Sequence, residues 1–349
     1  MMKTPEQLPK DPASFRGFVE GVQNLNDYFD TNDGQQLELA ERNLSASIGN
    51  DPGFWPALYY KSIALNHSRK HRQAIELLQE LLSKDTGYEA EVRYNLAYAY
   101  VKLYGYEEVK KAIDLLSEGE AIAKSRGETA LVLLYRASRA FAFAVYGGRD
   151  LKSLEDFEQR KLTYLPRSVE IANAVLHDPS LSKIDYGTRR IIETECHNAL
   201  GIAFMRIGQF SSSFPKLRDT AWDNALRHYE AALTVHPGDV RVLDNMSTHW
   251  LLHAAKAIRA GDSGTAKTFE NLAAECARRA ISRSPRDRFR QYRLAQAEFL
   301  LGNTDLALRI AEEARSYPKD AIRDEKIDAL ATSMKKGDVN AILVDYPTT

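Results

Sequence analysis

Two histidines, His249 and His253, have the spacing of paired metal ligands on one helix face. Imidazole nitrogen is a common zinc ligand, and residues four apart in a helix lie one above the other. The zinc-protease pattern places Glu directly after the first histidine, whereas this chain has Trp250 there, and no third ligand is evident. We therefore interpret the pair as partly buried packing residues and expect no metal site.

The sequence does not indicate a nucleophilic or a phosphate-binding site either. Cys196 and His197 are adjacent rather than opposed, so they do not form a nucleophile and its base. The glycines at 147–148 and 302 are expected to end helices rather than to form a phosphate loop, and the carboxylate pairs at 107–108 and 312–313 to lie on solvated helix faces. We expect a protein without catalytic residues or a cofactor, and therefore not an enzyme.

Composition and charge exclude several classes of protein. The 349 residues carry 47 basic and 48 acidic side chains, so the chain as a whole is not a bulk nucleic-acid binder. A hydrophobic content of 44% excludes a largely disordered chain. No stretch reaches the roughly 18 consecutive apolar residues of a membrane span, so we expect no membrane partner. Two cysteines suit a reducing compartment, which predicts a cytoplasmic protein.

A pattern of small residues recurs along the chain. An Ala is followed four residues later by an apolar residue, seven later by a small or apolar one, and often about twelve later by Pro. Ala40 and Ala74 begin copies 34 residues apart, and Ala273 and Ala307 begin two more with the same separation. A further copy begins at Ala225. A fixed period of this length is typical of helical repeat proteins.

A second pattern precedes these segments, in which an apolar or bulky residue is followed by a Leu-like residue, a small residue and an aromatic one. Three copies show it: His197, Leu200, Gly201 and Phe204; Leu243, Met246, Ser247 and Trp250; Arg93, Leu96, Ala97 and Tyr100. Together the two patterns resemble the tetratricopeptide repeat (TPR) over about residues 20–125 and 190–318. The resemblance implies an all-α solenoid of stacked helical hairpins forming a right-handed superhelix, with the small residues where paired helices approach most closely.

The patterns also divide the chain. We expect a flexible N-terminal arm at 1–15, TPR-like repeats at 16–125, a degenerate repeat with an extra helix at 126–190, TPR-like repeats at 191–320 and capping helices with a tail at 321–349. An insertion at 209–222 interrupts the best-matching repeat. Insertions in solenoids form loops, often on the binding side.

The family resemblance implies a binding groove lined by the first helix of each hairpin. Carried over position by position, its lining would be Tyr59, Ile63, Glu91, Tyr94, Tyr98, Lys102, Tyr135, Arg139, Phe143, Asn198, Ile202 and Arg206. Tyrosine offers a large contact area at low rotamer cost, and Tyr and Arg dominate interface energetics. Several of these tyrosines could instead pack between neighbouring repeats.

One TPR subtype grips a C-terminal carboxylate with Lys and Asn residues. Asn95 and Arg136 stand at plausible positions for such a clamp, but Tyr59 and Ile63 stand where its first Lys and Asn should be. We therefore do not expect this clamp.

Residues 278–293 form a strongly positive segment, with seven arginines and one acidic residue. The arginines are Arg278, Arg279, Arg283, Arg286, Arg288, Arg290 and Arg293. Such a segment can bind phosphate or an acidic partner even in a neutral chain. The other interpretation is that the first three complement a helix C-terminus and that the rest scatter over several helix faces.

The sequence thus predicts a scaffold or adaptor that binds a peptide or helix of another protein. The alternative is a nucleic-acid-associated or phosphate-sensing subunit that uses residues 278–293. Self-association remains open, because exposed end repeats can stack on copies of themselves.

Overall fold

The computed structural model describes residues 9–31, 33–84, 86–103, 105–147, 154–209, 215–285, 287–316 and 324–343. Within these ranges the regular structure is helical and contains no β-strand, which confirms the all-α class predicted from sequence. Parts of five predictions lie outside the described residues: residues 1–8 of the arm, 148–153 of the degenerate repeat, 210–214 of the insertion, Arg286 of the arginine segment, and 317–323 and 344–349 around the capping helices.

The first of two compact units comprises Met1–Asp150 and Asn173–Ile192. Its helices are α1 (Pro12–Thr31), α2 (Gly34–Asn50), α3 (Trp55–His67), α4 (His71–Leu82), α5 (Glu89–Leu103), α6 (Tyr106–Ser125) and α7 (Thr129–Gly147). Each of them packs against the next, and α3 also contacts both α1 and α5. Because alternate helices touch as well as neighbours, the hairpins stack side by side as a repeat protein requires.

The second unit comprises Leu151–Ala172 and Glu193–Thr349. Two helices, α8 (Leu154–Leu176) and α9 (Tyr186–Gln209), contribute residues to both units. The following helices are α10 (Pro215–Val235), α11 (Val240–Arg259), α12 (Ser263–Arg283), α13 (Arg288–Leu300), α14 (Thr304–Ser316), α15 (Asp324–Lys335) and α16 (Val339–Leu343). From α10 onward each helix packs against the next, and α13 also contacts α11 and α15.

The small residues of the repeat lie where paired helices approach most closely, as the sequence predicts. A Cβ added to Gly201 on α9 would lie 2.3 Å from Cε1 of Tyr229 on α10. The hydroxyl of Ser247 on α11 donates a 2.9 Å hydrogen bond to the carbonyl of Ala273 on α12. Larger side chains at these positions would separate the helix axes beyond their packing distance.

Aspartate side chains begin several of the helices. Asp33, Asp239, Asp262 and Asp287 precede α2, α11, α12 and α13, and each accepts a hydrogen bond from a backbone N–H of the first turn. An N-cap of this kind satisfies donors that have no partner within the helix. These caps fix where the hairpins turn.

Three boundaries differ from those predicted. Helix α1 begins at Pro12, so the last residues of the predicted arm are helical. The extra helix predicted near 151–161 and the helix after it form one helix, α8, with Pro166 inside it. Helix α10 begins at Pro215, so much of the predicted insertion is helical. Pro is well tolerated in the first turn of a helix, which is why Pro215 does not prevent this.

Helix α7 is the most apolar helix of the described chain. By length and composition alone it could cross a membrane, since an 18-residue window within Thr129–Gly147 has a mean hydropathy of 1.2. However, 61% of that window is buried inside the protein, and α7 packs against α6. Both features are those of a helix in the core of a stacked helical domain.

Candidate partner-binding surface

An aromatic row crosses three successive first helices of the first unit. It consists of His67 on α3, Tyr98 and Lys102 on α5, and Phe141 on α7. The rings of His67 and Tyr98 stack with centroids 5.9 Å apart. The Lys102 ammonium lies 5.1 Å from the Tyr98 centroid and 5.8 Å from that of Phe141. His67, Tyr98 and Lys102 are half-buried, whereas Phe141 is buried, so the row presents the rings of His67 and Tyr98 and the Lys102 cation at the surface.

The surroundings of this row are electropositive. Burial, followed by the charges of Lys102, Arg69 and His67, lowers the pKa of the neighbouring His71 to about 3. His71 is therefore neutral at physiological pH, and Lys102 supplies positive charge on the row itself. A cation that rests on aromatic rings remains available to a carboxylate that approaches from solvent.

The sequence predicted Tyr98 and Lys102 but missed His67 and Phe141. His67 lies four residues after Ile63, one helical turn along the same face, so helical spacing could have identified it. Phe141 could not have been chosen in this way, because the register of α7 differs from the one assumed. Ile63 itself is half-buried and packs against the core cluster around Leu44 and Ala57.

Tyr59 lies below this surface rather than on it. Its hydroxyl accepts a 2.8 Å hydrogen bond from Nδ2 of Asn95, whose amide also donates to the carbonyl of Glu91. Burial, reinforced by the Glu91 charge, raises the pKa of the Tyr59 phenol above its usual range. Asn95, considered above for a carboxylate clamp, is thus engaged within the protein.

Tyr135 was wrongly predicted to line the groove. Its side chain is 0% exposed, and its hydroxyl donates to the carbonyl of Ala90 on α5. The ring fills the space above Gly119 on α6, where an added Cβ would overlap it. Tyr94 remains half-buried, with its ring edge-on to Tyr135 and its hydroxyl accepting a hydrogen bond from Ser138. Tyr94 and Tyr135 therefore pack helices together, which was the other interpretation of the pattern, whereas Tyr98 remains in the row.

Arg139 does not supply a groove cation. Its guanidinium lies 2.9 Å from the Glu120 carboxylate on α6, and Arg136 lies 2.8 Å from the same carboxylate. Burial alone would raise the Glu120 pKa, but hydrogen bonds from Lys124 and Arg136 and the charge of Arg139 hold it below its usual value. The prediction that Arg139 faces a ligand is therefore wrong, since its charge is used to join α6 and α7. Glu91 and Phe143 are half-buried.

The predicted groove residues of the second unit are also drawn into the protein. Asn198 is 0% exposed and its side-chain oxygen Oδ1 accepts a 2.8 Å hydrogen bond from Nδ2 of Asn245 on α11, so it was wrongly predicted to line a surface. Ile202 is likewise buried. Arg206 is half-buried and donates a 2.7 Å hydrogen bond to Gln209 within α9.

The arginines at 278–293 do not form one basic surface. Arg288 and Arg290 are buried at the start of α13, while the half-buried Arg293 guanidinium stacks 4.7 Å from the Phe289 ring. Arg278, Arg279 and Arg283 are exposed on α12, where Arg278 pairs with the buried Glu298. The prediction of a shared patch is thus wrong for the buried pair, because α12 ends and α13 begins within the segment.

Two arginines, the half-buried Arg241 and the buried Arg290, instead link the first helices of the second unit. Arg241 on α11 lies 2.7 Å from Glu195 on α9, and Arg290 on α13 lies 3.0 Å from Asp244 on α11. Each pair spans 46 residues. Arg290 also pairs with Asp287, the aspartate that caps its own helix. Charge here holds stacked repeats in register, a structural role that the composition of the segment does not reveal.

The chemically suggestive histidines and cysteines lie in packed surroundings. His249 and His253 have ring centroids 4.6 Å apart and contact Trp222 and Trp250. Burial, then His253, lowers the pKa of His249 to about 3. Cys196 is fully buried, and burial raises the pKa of its thiol, which disfavours the nucleophilic thiolate. Among the described residues no three potential ligands come together to hold a metal ion.

Stacked antiparallel hairpins with small residues at their closest approach make this a TPR-like fold. No family model and no curated protein matches the chain. Among solved structures, a tetratricopeptide repeat protein from Parabacteroides merdae is 12% identical, with a TM-score of 0.44 over 91% of this chain and 99% of that one. The TPR2AB domain of yeast Sti1, in a complex with pHSP90, is 15% identical, with a TM-score of 0.29 over 92% and 98% of the two chains. Yeast Tom70 is 10% identical, with a TM-score of 0.26 over 94% and 96%.

Proposed function

We propose that this TPR-like chain is a non-catalytic interaction module whose first unit binds a segment of another protein along the aromatic row. The observation that carries the proposal is the continuity of the row: His67 stacks on Tyr98, and Lys102 bridges Tyr98 to Phe141 on the next first helix. Phe141 itself is buried, so one bound segment can touch side chains from α3 and α5, with Lys102 held in place by a ring of α7. Since both cysteines are free thiols, we also propose a reducing compartment such as the cytoplasm.

The chemistry of the row selects its partner. Half-buried rings offer apolar area that is already ordered, so binding immobilises few additional side chains. Lys102 adds a cation whose position is fixed by two rings, which favours a carboxylate on the partner. We expect a short segment that combines an apolar or aromatic side chain with a neighbouring acidic residue. Affinity would depend on these anchors more than on the total area buried.

The phosphate-binding alternative receives less support. Of the seven arginines that suggested it, Arg288 and Arg290 are buried, and Arg278 is paired with Glu298. Among the described arginines of the segment, the exposed ones all lie on α12. We therefore do not propose a nucleic-acid-associated role.

A peptide library tests the proposal directly. Full-length protein would be panned against displayed random peptides, and dissociation constants of enriched peptides measured by fluorescence anisotropy. Tyr98→Ala and Lys102→Gln should each weaken binding about tenfold, equivalent to roughly 1.4 kcal/mol. Enriched sequences should pair an acidic residue with an apolar one.

The chain offers a matched control for these variants. Lys111 on α6 lies 5.8 Å from the Tyr100 ring, so it is another lysine over another tyrosine in the same unit but outside the row. Lys111→Gln should leave peptide affinity unchanged. Equal losses in Lys111→Gln and Lys102→Gln, or no enrichment above an unrelated helical protein, would contradict the proposal.

A further inference from the structure

An apolar stripe runs along one side of α1 and is left partly exposed by the fold. Phe15, Val19 and Phe29 are 44%, 48% and 45% exposed, and Val22 between them is half-buried. With Asn26, these residues follow an alternating spacing of four and three, which places them on a single helix face. They include three of the largest exposed apolar side chains of the described chain.

The other sides of α1 are used by the fold. Gly17 and Gly21 lie against α2, where an added Cβ would come within 2.9 Å of the Asn43 carbonyl and 2.6 Å of Leu44. Phe18 packs edge-on against Phe54 and Tyr60 near the start of α3. The exposure of the stripe therefore does not result from imperfect packing of α1 against the core. Two members of the stripe touch the rest of the unit, since the Phe29 ring lies 5.0 Å from that of His67 and Val22 packs against the core cluster. Phe15, Val19 and Phe29 nevertheless keep exposed apolar area, which is typical of a contact site.

The charges beside the stripe are arranged so that the helix complements itself. Arg16 lies at the N-terminal end, while Asp27 and Asp30 lie at the C-terminal end. If two copies of α1 pair antiparallel about Val22, Phe15 of each comes opposite Phe29 of the other, and Arg16 comes opposite Tyr28, one residue from Asp27 and two from Asp30. A parallel arrangement would instead place like charges side by side, which is unfavourable.

We propose that the stripe is a self-association surface, through which α1 of one copy packs antiparallel against α1 of a second copy of this chain. A two-fold contact of this kind is isologous, so one face supplies both halves of the interface. Helix α1 has 20 residues, which gives a contact about 30 Å long. The stripe adjoins the aromatic row where Phe29 contacts His67, but the two proposals rest on different exposed side chains and are tested by different measurements.

Sedimentation of the full chain over a range of concentrations tests this assignment. The wild type should be dimeric at micromolar concentration, and Val19→Glu should be monomeric with unchanged helical content by circular dichroism. Glu20→Gln, an exposed position on the opposite side of α1, should leave the dimer intact. A wild type that stays monomeric at every concentration would overturn the proposal. It would do so even if a different protein were found to bind the stripe.

Cysteine cross-linking tests the antiparallel arrangement. Cys196 and Cys276 are both buried, so a cysteine introduced on α1 is the accessible thiol. Val22→Cys should oxidise to a disulfide-linked dimer, whereas Phe15→Cys should link to Phe29→Cys on mixing but not to itself. Self-linking of Phe15→Cys as efficient as that of Val22→Cys would overturn the arrangement.

A charge exchange supplies an independent check. Arg16→Glu should raise the dimer dissociation constant about tenfold, because it replaces attraction to Asp27 and Asp30 of the other copy with repulsion at both ends. Adding Asp30→Arg in the same chain should restore it. Failure of the double variant to recover would count against pairing between these residues.

Discussion

The Nδ1 atoms of His197 on α9 and His228 on α10 lie 3.1 Å apart, and the His228 ring stacks on Phe204 at a centroid distance of 5.6 Å. A hydrogen bond between these two nitrogens needs a proton on one and a lone pair on the other. Burial lowers the pKa of His197, and burial together with His197 lowers that of His228 to about 4. The hairpin is therefore joined by a contact that acid breaks.

This pair makes stability depend on pH in a defined window. An unfolded histidine titrates near 6.5, so between about 6.5 and 4 the unfolded chain binds protons that the folded pair refuses. The free energy of unfolding should fall as pH decreases through that window, with about 2 kcal/mol contributed by His228. His228→Gln should reduce this slope in denaturant titrations made at several pH values. A slope unchanged from wild type, or one equally reduced by replacing the exposed His177, would contradict the assignment.

Gly201 should tolerate no side chain. Its Cα faces Tyr229 so closely that an added Cβ would lie 2.3 Å from the ring, and Tyr229 is fully buried and cannot move aside freely. Gly201→Ala should lower the free energy of unfolding by about 1–3 kcal/mol through overpacking.

Gly49 provides the matched substitution for Gly201. It also lies within a helix, α2, but an added Cβ would meet nothing within 4 Å. Gly49→Ala should raise the free energy of unfolding by up to about 1 kcal/mol, because alanine has the higher helix propensity. Thermal denaturation of both variants would measure the difference, and equal effects would refute the close-approach argument.

The hairpin architecture could be predicted from sequence because it depends on small residues at fixed spacing. The role of Gly201 and Ser247 can be inferred from their small size and spacing, because only a small side chain fits between paired helices. The direction of large side chains could not be predicted in the same way. Tyr135 follows the expected groove spacing, yet it turns towards Gly119, a residue on another helix that no local pattern connects with it.

The environment of each arginine in the segment 278–293 could not be predicted from sequence either. Composition alone does not separate Arg279, which is exposed on α12, from Arg290, which is buried against Asp244. The distinction arises because a helix ends and another begins within the segment, and because Arg290 meets an acid 46 residues earlier in the chain. Long-range pairing of this kind is set by how repeats stack.

Tyr135 should matter for stability and not for binding. Its hydroxyl donates to the Ala90 carbonyl in a buried contact between α7 and α5. Tyr135→Phe should therefore cost about 1 kcal/mol of unfolding free energy by removing one hydrogen bond. The same variant should bind row-selected peptides with wild-type affinity, measured by anisotropy. A binding loss comparable to that of Tyr98→Ala would show that Tyr135 reaches the partner.

Arg290 should be the most costly arginine of its segment to replace. Its guanidinium lies 3.0 Å from the Asp244 carboxylate and 2.5 Å from that of Asp287, and all three side chains are largely buried. Arg290→Met would remove a cation from two largely buried carboxylates, a loss of about 3–5 kcal/mol. Asp244→Asn added to Arg290→Met should recover part of that loss, because it removes one of the two negative charges that Arg290 pairs with. Arg279→Met should change stability by no more than about 0.5 kcal/mol, since Arg279 is exposed. Urea titrations of the four proteins measure these differences, and equal costs for Arg279→Met and Arg290→Met would mean that Arg290 does not hold α13 to α11.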